Sequence, residues 1–305
     1  MRTMLRTAEV LVLILVLAGC SSLMGGITDT FAGAIAGNPS DVEKVQKVGQ
    51  ATQKANEEIT PEQEYYIGRA VAATVLGMYT PWDNPKANEY LNTLGLSLSQ
   101  ASVPPDPYKG YHFLIMDSDD INAFGAPSGF VLVSRGLLRC AKSEDEVAAI
   151  LAHEIGHVSL KHGMSAISSA RKTEAVLEIA KFAASSSDSG ILRDLTASFG
   201  GVIGDIVKTM VTSGYSRDLE KQADLEAIRI LHDVGYDPQA LMRMLTVMKT
   251  KLKPDGKDFA KTHPDPEVRI AYLADAIKAQ KVVPPAADAQ LKSRQTRYMA
   301  ALQKI

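Results

Sequence analysis

The stretch SEDEVAAILAHEIGHVSLKHG, residues 143–163, has the clearest helical pattern in the sequence. Ser143 is a good N-cap residue, and the three acidic residues in the first turn interact favourably with the helix dipole. Lys161 and Gly163 are typical of a helix end. Three of the chain's six histidines fall on this one segment. The segment therefore predicts a helix that carries a function.

Two of these histidines have the spacing of a metal-binding pair. Residues four apart lie on one face of an α-helix, so His153 and His157 project together and can bind one Zn²⁺. Glu154 lies beside them, where it can act as a general base on a water at that metal. Taken alone, the HExxH pattern leaves open a surface helix with two solvated histidines.

A later helical segment, YSRDLEKQADLEAIRILHDVG, offers the third ligand that a catalytic zinc site needs. Glu220 is the candidate ligand. Asp224 follows four residues later on the same face, where it can accept a hydrogen bond from the far nitrogen of a ligand histidine and fix its tautomer. Ala223 beside this pair allows two helices to approach closely. A solvated acidic face would explain the carboxylates but not the small residue.

Around these two helices the sequence predicts a mostly helical α+β fold with a small sheet. Thr60 is a plausible N-cap for a first helix, and a second is predicted at about 84–100. The stretch YHFLIMDSD predicts a strand, and INAFGAPSGFVLVSRGLL predicts two short strands around a turn, followed by a helix. Pro238 and Pro266 are expected to begin two further helices.

The N-terminus has the pattern of an export signal. Arg2 and Arg6 precede an apolar run at 10–18, which is too short to span a membrane comfortably. The following LAGC resembles a bacterial lipoprotein cleavage box, which implies that residues 1–19 are removed and that Cys20 carries a lipid. An ordinary signal peptide that leaves a free cysteine is the alternative. The residue after Cys20 is a serine and not an aspartate, which resembles the default for outer-membrane sorting.

Composition excludes several classes of protein. The net charge is −2 and the sequence pI is near 6.3, with no basic stripe, so nucleic acid is a poor candidate for a partner. Only Cys20 and Cys140 are present, so with Cys20 lipidated no disulfide is expected, and Cys140 is predicted to be a small buried hydrophobe. Downstream of the N-terminal signal, the sequence has no further apolar stretch of about 18 residues.

HExxH, a later ExxAD and the preceding NAFGAPSGFVLVSRGLL together resemble the HtpX-like and BepA-like zinc metallopeptidases. They are part of peptidase family M48, which also includes Oma-type and CAAX-prenyl proteases. The resemblance covers roughly residues 60–282 and implies a zincin core of the gluzincin type with one Zn²⁺ per chain. It implies further that His153, His157 and Glu220 are the zinc ligands, that Glu154 is the catalytic base, and that Asp224 supports the site or donates a proton.

The same resemblance implies where substrate binds. Asn122, Ala123 and Phe124, together with residues 129–134, would flank a cleft in which an extended polypeptide pairs with an edge strand. The expected function is that of a zinc-dependent endopeptidase acting on unfolded or misfolded cell-envelope proteins, lipid-anchored on the periplasmic side and at the outer membrane. The alternatives are a chaperone-like binding protein and a lipoprotein scaffold. The oligomeric state is left open.

The domain organisation expected from these patterns has four segments. They are a signal peptide at 1–19, a tether at 20–58 that is rich in small residues, a peptidase domain at 59–282 and a helical C-terminal tail at 283–305. The peptidase domain includes a helical insert at about 164–214.

The remaining histidines receive different interpretations. His263, in KTHPDPEVRI, precedes a predicted helix that carries Arg269. His263 can donate to the oxyanion, occupy the open metal position and keep the enzyme latent, or simply belong to a capping loop. His162 is expected to cover the helix end rather than bind zinc, and His112 and His232 are expected to be structural.

Overall fold

The structure, a computed structural model, describes residues 59–103, 106–166, 201, 203–251, 262–263, 266–279, 287–303 and 305. Its strands are β1 (His112–Met116), β2 (Ala123–Ala126) and β3 (Phe130–Ser134). The helices are α1 (Pro61–Met78), α2 (Pro85–Ser99), α3 (Arg135–Leu138), α4 (Glu144–Ser159), α5 (Arg217–Val234), α6 (Gln239–Lys251), α7 (Pro266–Ala279) and α8 (Asp288–Leu302). The mostly helical α+β class is thereby confirmed. The predicted signal peptide, Cys20, the tether up to residue 58 and most of the predicted insert lie outside the described residues.

The helices begin where the sequence predicts a cap. At α1 the Gln63 N–H donates to Thr60 Oγ1 at 3.2 Å, while the Thr60 N–H donates to Gln63 Oε1 at 3.1 Å, which completes a capping box. The Ser143 side chain likewise accepts from the backbone at the start of α4. The predicted end of α4 was too late. Lys161 adopts a left-handed conformation, with φ 56°, so α4 ends at Ser159.

The three strands form one sheet in the order β1-β3-β2. β1 pairs with β3 in parallel and β2 pairs with β3 antiparallel, so the chain folds as the predicted pair of short strands around the turn at Pro127–Gly129. Alternate residues of β3 enter two hydrophobic clusters, with Val131 and Val133 on one face and Leu132 on the other.

The two edges of this sheet differ in how their backbone groups are used. On the outer side of β1, Asn88 and Asn92 of α2 bond to the backbone of Phe113 and Ile115 at 2.7–3.0 Å, so side chains occupy that edge. β2 is the opposite edge and runs beside α4. β2 is therefore the edge strand available to a further strand next to the predicted site.

Helix α4 lies at the centre of the fold. All of its 16 residues are buried, and it packs against α2, α5, α6, α8 and the sheet. The ionisable residues of HExxH thus lie in a desolvated environment. There, ionising a side chain or leaving it without a partner costs much more free energy than it does in water.

The C-terminal helix α8 packs against the start of α4. Arg294 Nη1 lies 3.0 Å from Asp145 Oδ1, Arg297 Nη2 lies 2.5 Å from Glu144 Oε1, and the Tyr298 hydroxyl donates to the Ala141 carbonyl at 2.8 Å. All described residues fall in one compact unit. Within the described residues no helix combines the length and the apolar character needed to cross a bilayer.

Candidate metal centre

The candidate centre forms where α4 and α5 approach each other. At this contact a Cβ on Gly156 would lie 2.8 Å from the carbonyl oxygen of Ala223, so the two backbones are nearly touching. Ala223, the small residue that the sequence analysis noted beside Glu220 and Asp224, therefore lies in the contact between the two helices. The approach lets side chains from the two helices reach a common point.

Four buried side chains direct ligand atoms to that point, all within 4.8 Å of one another: His153, His157, Glu220 and His263. His153 Nε2 lies 3.2 Å from His157 Nε2 and 3.6 Å from Glu220 Oε2, and His157 Nε2 lies 3.3 Å from Glu220 Oε1. Ligand atoms around a tetrahedral zinc with bonds of about 2.0–2.1 Å are separated by roughly 3.3–3.4 Å. The donor types and their spacing therefore fit one zinc ion.

The protonation states suit metal binding. Burial, reinforced by the nearby Arg269, lowers the pKa of His153 to about 3, so its imidazole is neutral at physiological pH. Burial opposes ionisation of Glu220, yet the imidazoles of His263 and His157 outweigh it and hold the pKa of that carboxyl well below its usual range. Neutral imidazole and ionised carboxylate are the forms that ligate a metal.

Behind His153 stands a network that fixes its orientation. Asp224 Oδ1 lies 2.9 Å from His153 Nδ1, and Arg269 donates to both carboxylate oxygens of Asp224 at 2.7 and 2.9 Å. The Tyr272 hydroxyl also donates to Asp224. Burial opposes ionisation of Asp224, but Arg269 outweighs it and the pKa lies far below its usual range. Both oxygens of Asp224 accept hydrogen bonds, so the geometry favours the supporting role over that of proton donor.

His157 is held differently. The ring of Tyr215 stacks on it with centroids 4.4 Å apart and an interplanar angle of 21°, and its Nδ1 lies 2.9 Å from Nδ1 of His162. Burial, and then the neighbouring His157, lower the pKa of His162 to about 4. His162 is not among the four convergent side chains, but it contacts one of them.

Glu154 lies in α4 next to His153 with only 2% of its surface exposed. Burial raises its pKa to about 7; the nearby His157 lowers it by a smaller amount, and the nearby Glu220 adds to the rise. Its Oε1 has no hydrogen-bond partner among the described residues. A Cβ on Gly125 in β2 would lie 3.2 Å from Glu154 Oε2, so the edge strand runs directly past this carboxylate.

His263 lies much closer to the centre than a capping loop would require. It is 6% exposed, and its Nδ1 lies 2.8 Å from Glu220 Oε2 and 3.4 Å from His153 Nε2. Pro264, the next residue in the chain, lies outside the described residues. The preceding Thr262 packs on Gly214, where a Cβ would lie 2.3 Å from the Thr262 carbonyl oxygen.

The predicted substrate strand is present as β2, with Asn122 just before it. The Phe124 side chain is buried in the hydrophobic cluster between the sheet and α1, so it does not face the centre. Asn122 is fully buried, and its Oδ1 accepts from the Ala123 N–H at 3.0 Å. The side chains of Asn122 and Phe124 are thus not offered to a partner, and the Ala123 N–H already has an intramolecular acceptor.

Sequence reasoning missed Tyr215, Tyr272 and the contact made by His162. Tyr215 and Tyr272 reach the centre through tertiary packing, for which a single sequence contains no signal. His112 stacks on Phe130 at the sheet, and His232 lies beside Asp233 in the last turn of α5, both away from the centre.

Comparisons with known proteins agree with this geometry. The model of peptidase family M48 matches residues 85–277. The chain is 27% identical over 217 residues to the beta-barrel assembly-enhancing protease of Escherichia coli (strain K12), covering 68% of this chain and 42% of that protein. It is 31% identical over 163 residues to the mitochondrial metalloendopeptidase OMA1 of Schizosaccharomyces pombe, covering 53% of this chain and 45% of that protein.

A further relative is the metalloprotease YcaL of Escherichia coli (strain K12), 26% identical over 170 residues, or 56% of this chain and 63% of that protein. The chain therefore spans less than half the length of the beta-barrel assembly-enhancing protease. The expected enzyme class, a zinc metalloendopeptidase, is confirmed at the level of the family. With its family model matched over more than half of its length, the chain belongs to peptidase family M48.

Proposed function

We propose that this chain is a zinc-dependent endopeptidase that cleaves unfolded or misfolded polypeptides of the cell envelope. The observation that carries the proposal is the convergence of His153, His157 and Glu220 on one point, with Glu154 beside them and an edge strand passing that carboxylate. These are the parts that metal-assisted hydrolysis requires: ligands, a base and a place for an extended chain.

Each residue then has a task in hydrolysis. A bound zinc ion supplies Lewis acidity and lowers the pKa of a water. Glu154 accepts the proton of the attacking water and passes it to the leaving nitrogen. A base is most effective when its pKa lies near the working pH, and burial brings that of Glu154 to about 7. Asp224, held by Arg269, keeps His153 in the tautomer that exposes Nε2 to the metal.

The substrate would bind as an added strand on β2. The Ser134 N–H donates to the Asn122 carbonyl at 3.0 Å, so alternate residues pair with β3 and the backbone groups of Ala123 and Gly125 point away from it. A substrate strand would replace Asn122 Oδ1 as the partner of the Ala123 N–H. Pairing through the backbone reads few side chains, which gives broad specificity for unfolded chains. The name of the beta-barrel assembly-enhancing relative supports an envelope substrate.

Glu154→Gln is the direct test. The amide keeps the size of the side chain but cannot accept the proton, so zinc content is expected to stay at one per chain while cleavage of unfolded casein is lost. A variant that retains full cellular function without proteolysis would favour the chaperone-like or scaffold alternative. Undiminished cleavage by Glu154→Gln would refute the role of this residue.

We further propose that His263 is a latch. A ring nitrogen of His263 lies within 4.8 Å of the ligand atoms of His153, His157 and Glu220, close enough to compete with substrate for the open metal position. An oxyanion donor would instead leave that position free. His263→Ala is therefore expected to raise basal proteolysis with zinc retained, while His232→Ala on the protein surface serves as control. A fall in kcat on the order of 10²-fold would favour the oxyanion role.

A lipid anchor on Cys20 completes the proposal, with the protein on the periplasmic side of the outer membrane. It rests on the LAGC sequence and on the apolar run before it. Cys20→Ala is expected to release the protein from the membrane fraction or to leave the precursor uncleaved. Wild-type protein found in the soluble fraction with its leader intact would contradict this assignment.

A further inference from the structure

His162 occupies a place that a continuous helix would not give it. Along an unbroken α-helix, residues 157 and 162 point roughly 140° apart. The left-handed conformation of Lys161, φ 56°, breaks α4, and helical residues resume at 162–166. This break turns the His162 ring back over His157, with centroids 5.0 Å apart and an interplanar angle of 77°. His162 is only 2% exposed.

The direction of the bond between the two rings follows from the metal site. His157 Nε2 faces the other ligand atoms, so it is the nitrogen that binds metal and it must be unprotonated. The proton of the neutral His157 ring is then on Nδ1, 2.9 Å from His162 Nδ1. That geometry requires His162 to accept at Nδ1 and to carry its own proton on Nε2.

We propose that His162 is the positioning residue of the second metal ligand, accepting from His157 Nδ1–H as Asp224 does from His153. A ligand histidine almost always donates its other N–H to an acceptor that fixes the ring and its tautomer. At His153 the acceptor is a carboxylate, whose charge is matched by the bidentate Arg269. At His157 the acceptor is a neutral imidazole.

The difference between the two acceptors has a physical reason. The buried centre already contains the carboxylates of Glu154, Glu220 and Asp224 with one guanidinium, that of Arg269. A second carboxylate behind His157 would add an unmatched negative charge in a desolvated environment. A neutral acceptor orients the ring without that charge. The ring of Tyr215, stacked on the face of His157, restrains it in the remaining direction.

The test separates an acceptor from mere packing. His162→Leu fills similar space but cannot accept a hydrogen bond, whereas His162→Asn presents its carbonyl oxygen near the position of Nδ1. Zinc affinity is measured on the full chain by competition with a chromogenic chelator, and the visible spectrum of the cobalt-substituted protein is recorded. The expected result is that His162→Leu binds zinc about 10–100-fold more weakly with an altered cobalt spectrum, while His162→Asn stays close to wild type.

Two results would overturn the inference. One is wild-type zinc affinity and an unchanged cobalt spectrum in His162→Leu; the other is an equal loss in both variants, which would indicate packing alone. Urea unfolding of the metal-free variants identifies any general loss of stability, and His232→Leu controls for removal of an imidazole elsewhere. The inference rests on the proposed metal site but needs no substrate. The zinc-affinity measurements would therefore remain interpretable even if no proteolysis were found.

Discussion

Glu154 shows how function and stability oppose each other at one residue. Its carboxylate is 2% exposed in the centre of α4, and burial raises its pKa from 4.5 to about 7. An ionised general base at neutral pH is useful for hydrolysis, but the folded state accommodates that charge poorly. Because the pKa is higher in the folded than in the unfolded state, folding is less favourable where Glu154 must be ionised, above pH 7.

This opposition predicts that Glu154→Gln stabilises the metal-free protein. Above pH 7 the wild type carries a buried charge that glutamine lacks, so the variant is expected to gain about 3 kcal/mol in free energy of unfolding. The gain shrinks as the pH falls from 7 toward 4.5, because the folded wild type then binds a proton that the unfolded chain does not. Urea unfolding of both proteins at pH 8 and pH 5.5 measures the difference. A gain equal at the two pH values, or none, would contradict the assigned burial cost.

A second residue-scale prediction concerns the two ligands that meet at 2.8 Å, Glu220 and His263. Glu220→Ala leaves two imidazoles of α4 and, with the latch in place, a third from His263. We therefore expect Glu220→Ala to weaken zinc binding sharply but incompletely, and Glu220→Ala/His263→Ala to lose it. His263→Ala alone should retain zinc through the other three ligands. Full zinc occupancy in the double variant, by metal analysis, would refute the ligand set.

At the scale of elements, Thr262 and the proposed latch residue His263 lie beside the end of a π-helical turn, Thr209–Ser213. Gly214 follows this turn with φ 72°, and its Cα faces the backbone of Thr262. The next residue, Tyr215, stacks on His157. One short segment therefore contacts both a metal ligand and the loop that carries His263. Single π turns inside helical segments are frequent at functional sites.

Gly214→Ala is expected to open the latch. A Cβ would lie 2.3 Å from the Thr262 carbonyl oxygen, a contact that the backbone must relieve by moving. Basal proteolysis should rise as in His263→Ala, and combining the two changes should add little. Gly235→Ala is the control for a change at a positive-φ glycine, because Gly235 has φ 82° but no atom within 4 Å of an added Cβ. Gly214 (φ 72°, ψ 173°) lies in a region essentially restricted to glycine, and Gly235 (φ 82°, ψ 22°) lies in the left-handed region, so each change carries backbone strain on the order of 1–3 kcal/mol. Equal basal proteolysis in the two variants would argue against the coupling.

The sequence predicts the helices and strands more completely than it predicts the residues that meet at the candidate metal centre. N-cap residues such as Thr60 and Ser143 predict where their helices begin, because capping depends on local hydrogen bonds. The shared direction of His153 and His157 follows from their i,i+4 spacing on a helix. His263 is 110 residues from His153 in the chain, so its approach depends on tertiary packing. The contact of His162 with His157 was missed because a continuous helix was assumed, and the left-handed Lys161 that breaks it has no glycine to mark it. Phe124 lies in the predicted strand, β2, and the alternation of side chains along that strand turns its ring into the core.

Taken as a whole, the molecule is organised around α4, whose two ends have different roles. Its C-terminal half carries His153, Glu154 and His157, and its N-terminal turn carries acidic residues that are buried and paired. In that turn, Glu144 and Asp145 accept hydrogen bonds from arginines of α8, which lies some 150 residues later in the chain. Helix α8 of the C-terminal tail is therefore packed on the helix that carries HExxH.

This arrangement predicts that α8 is required for the stability of the centre. Arg297 bonds to Glu144, whose side chain is 1% exposed and also accepts from the Tyr236 hydroxyl at 3.0 Å. Arg294 bonds to Asp145 and to the Gly235 carbonyl, with its guanidinium 4.0 Å from the Tyr236 ring centroid. Removing either arginine leaves a buried carboxylate with fewer donors, so Arg294→Ala and Arg297→Ala should each lower the free energy of unfolding by about 1–3 kcal/mol.

Lys292→Ala is the matched control, since Lys292 is exposed on the same helix and such surface changes usually stay within about 0.5 kcal/mol. The two arginines act on adjacent residues of one helix turn, so the double variant is expected to deviate from additivity. Because the same helix presents the metal ligands, the double variant should also bind zinc more weakly, which chelator competition measures. Loss of stability with unchanged zinc affinity would show that the two ends of α4 respond independently, and stability equal to that of Lys292→Ala would show that α8 is dispensable.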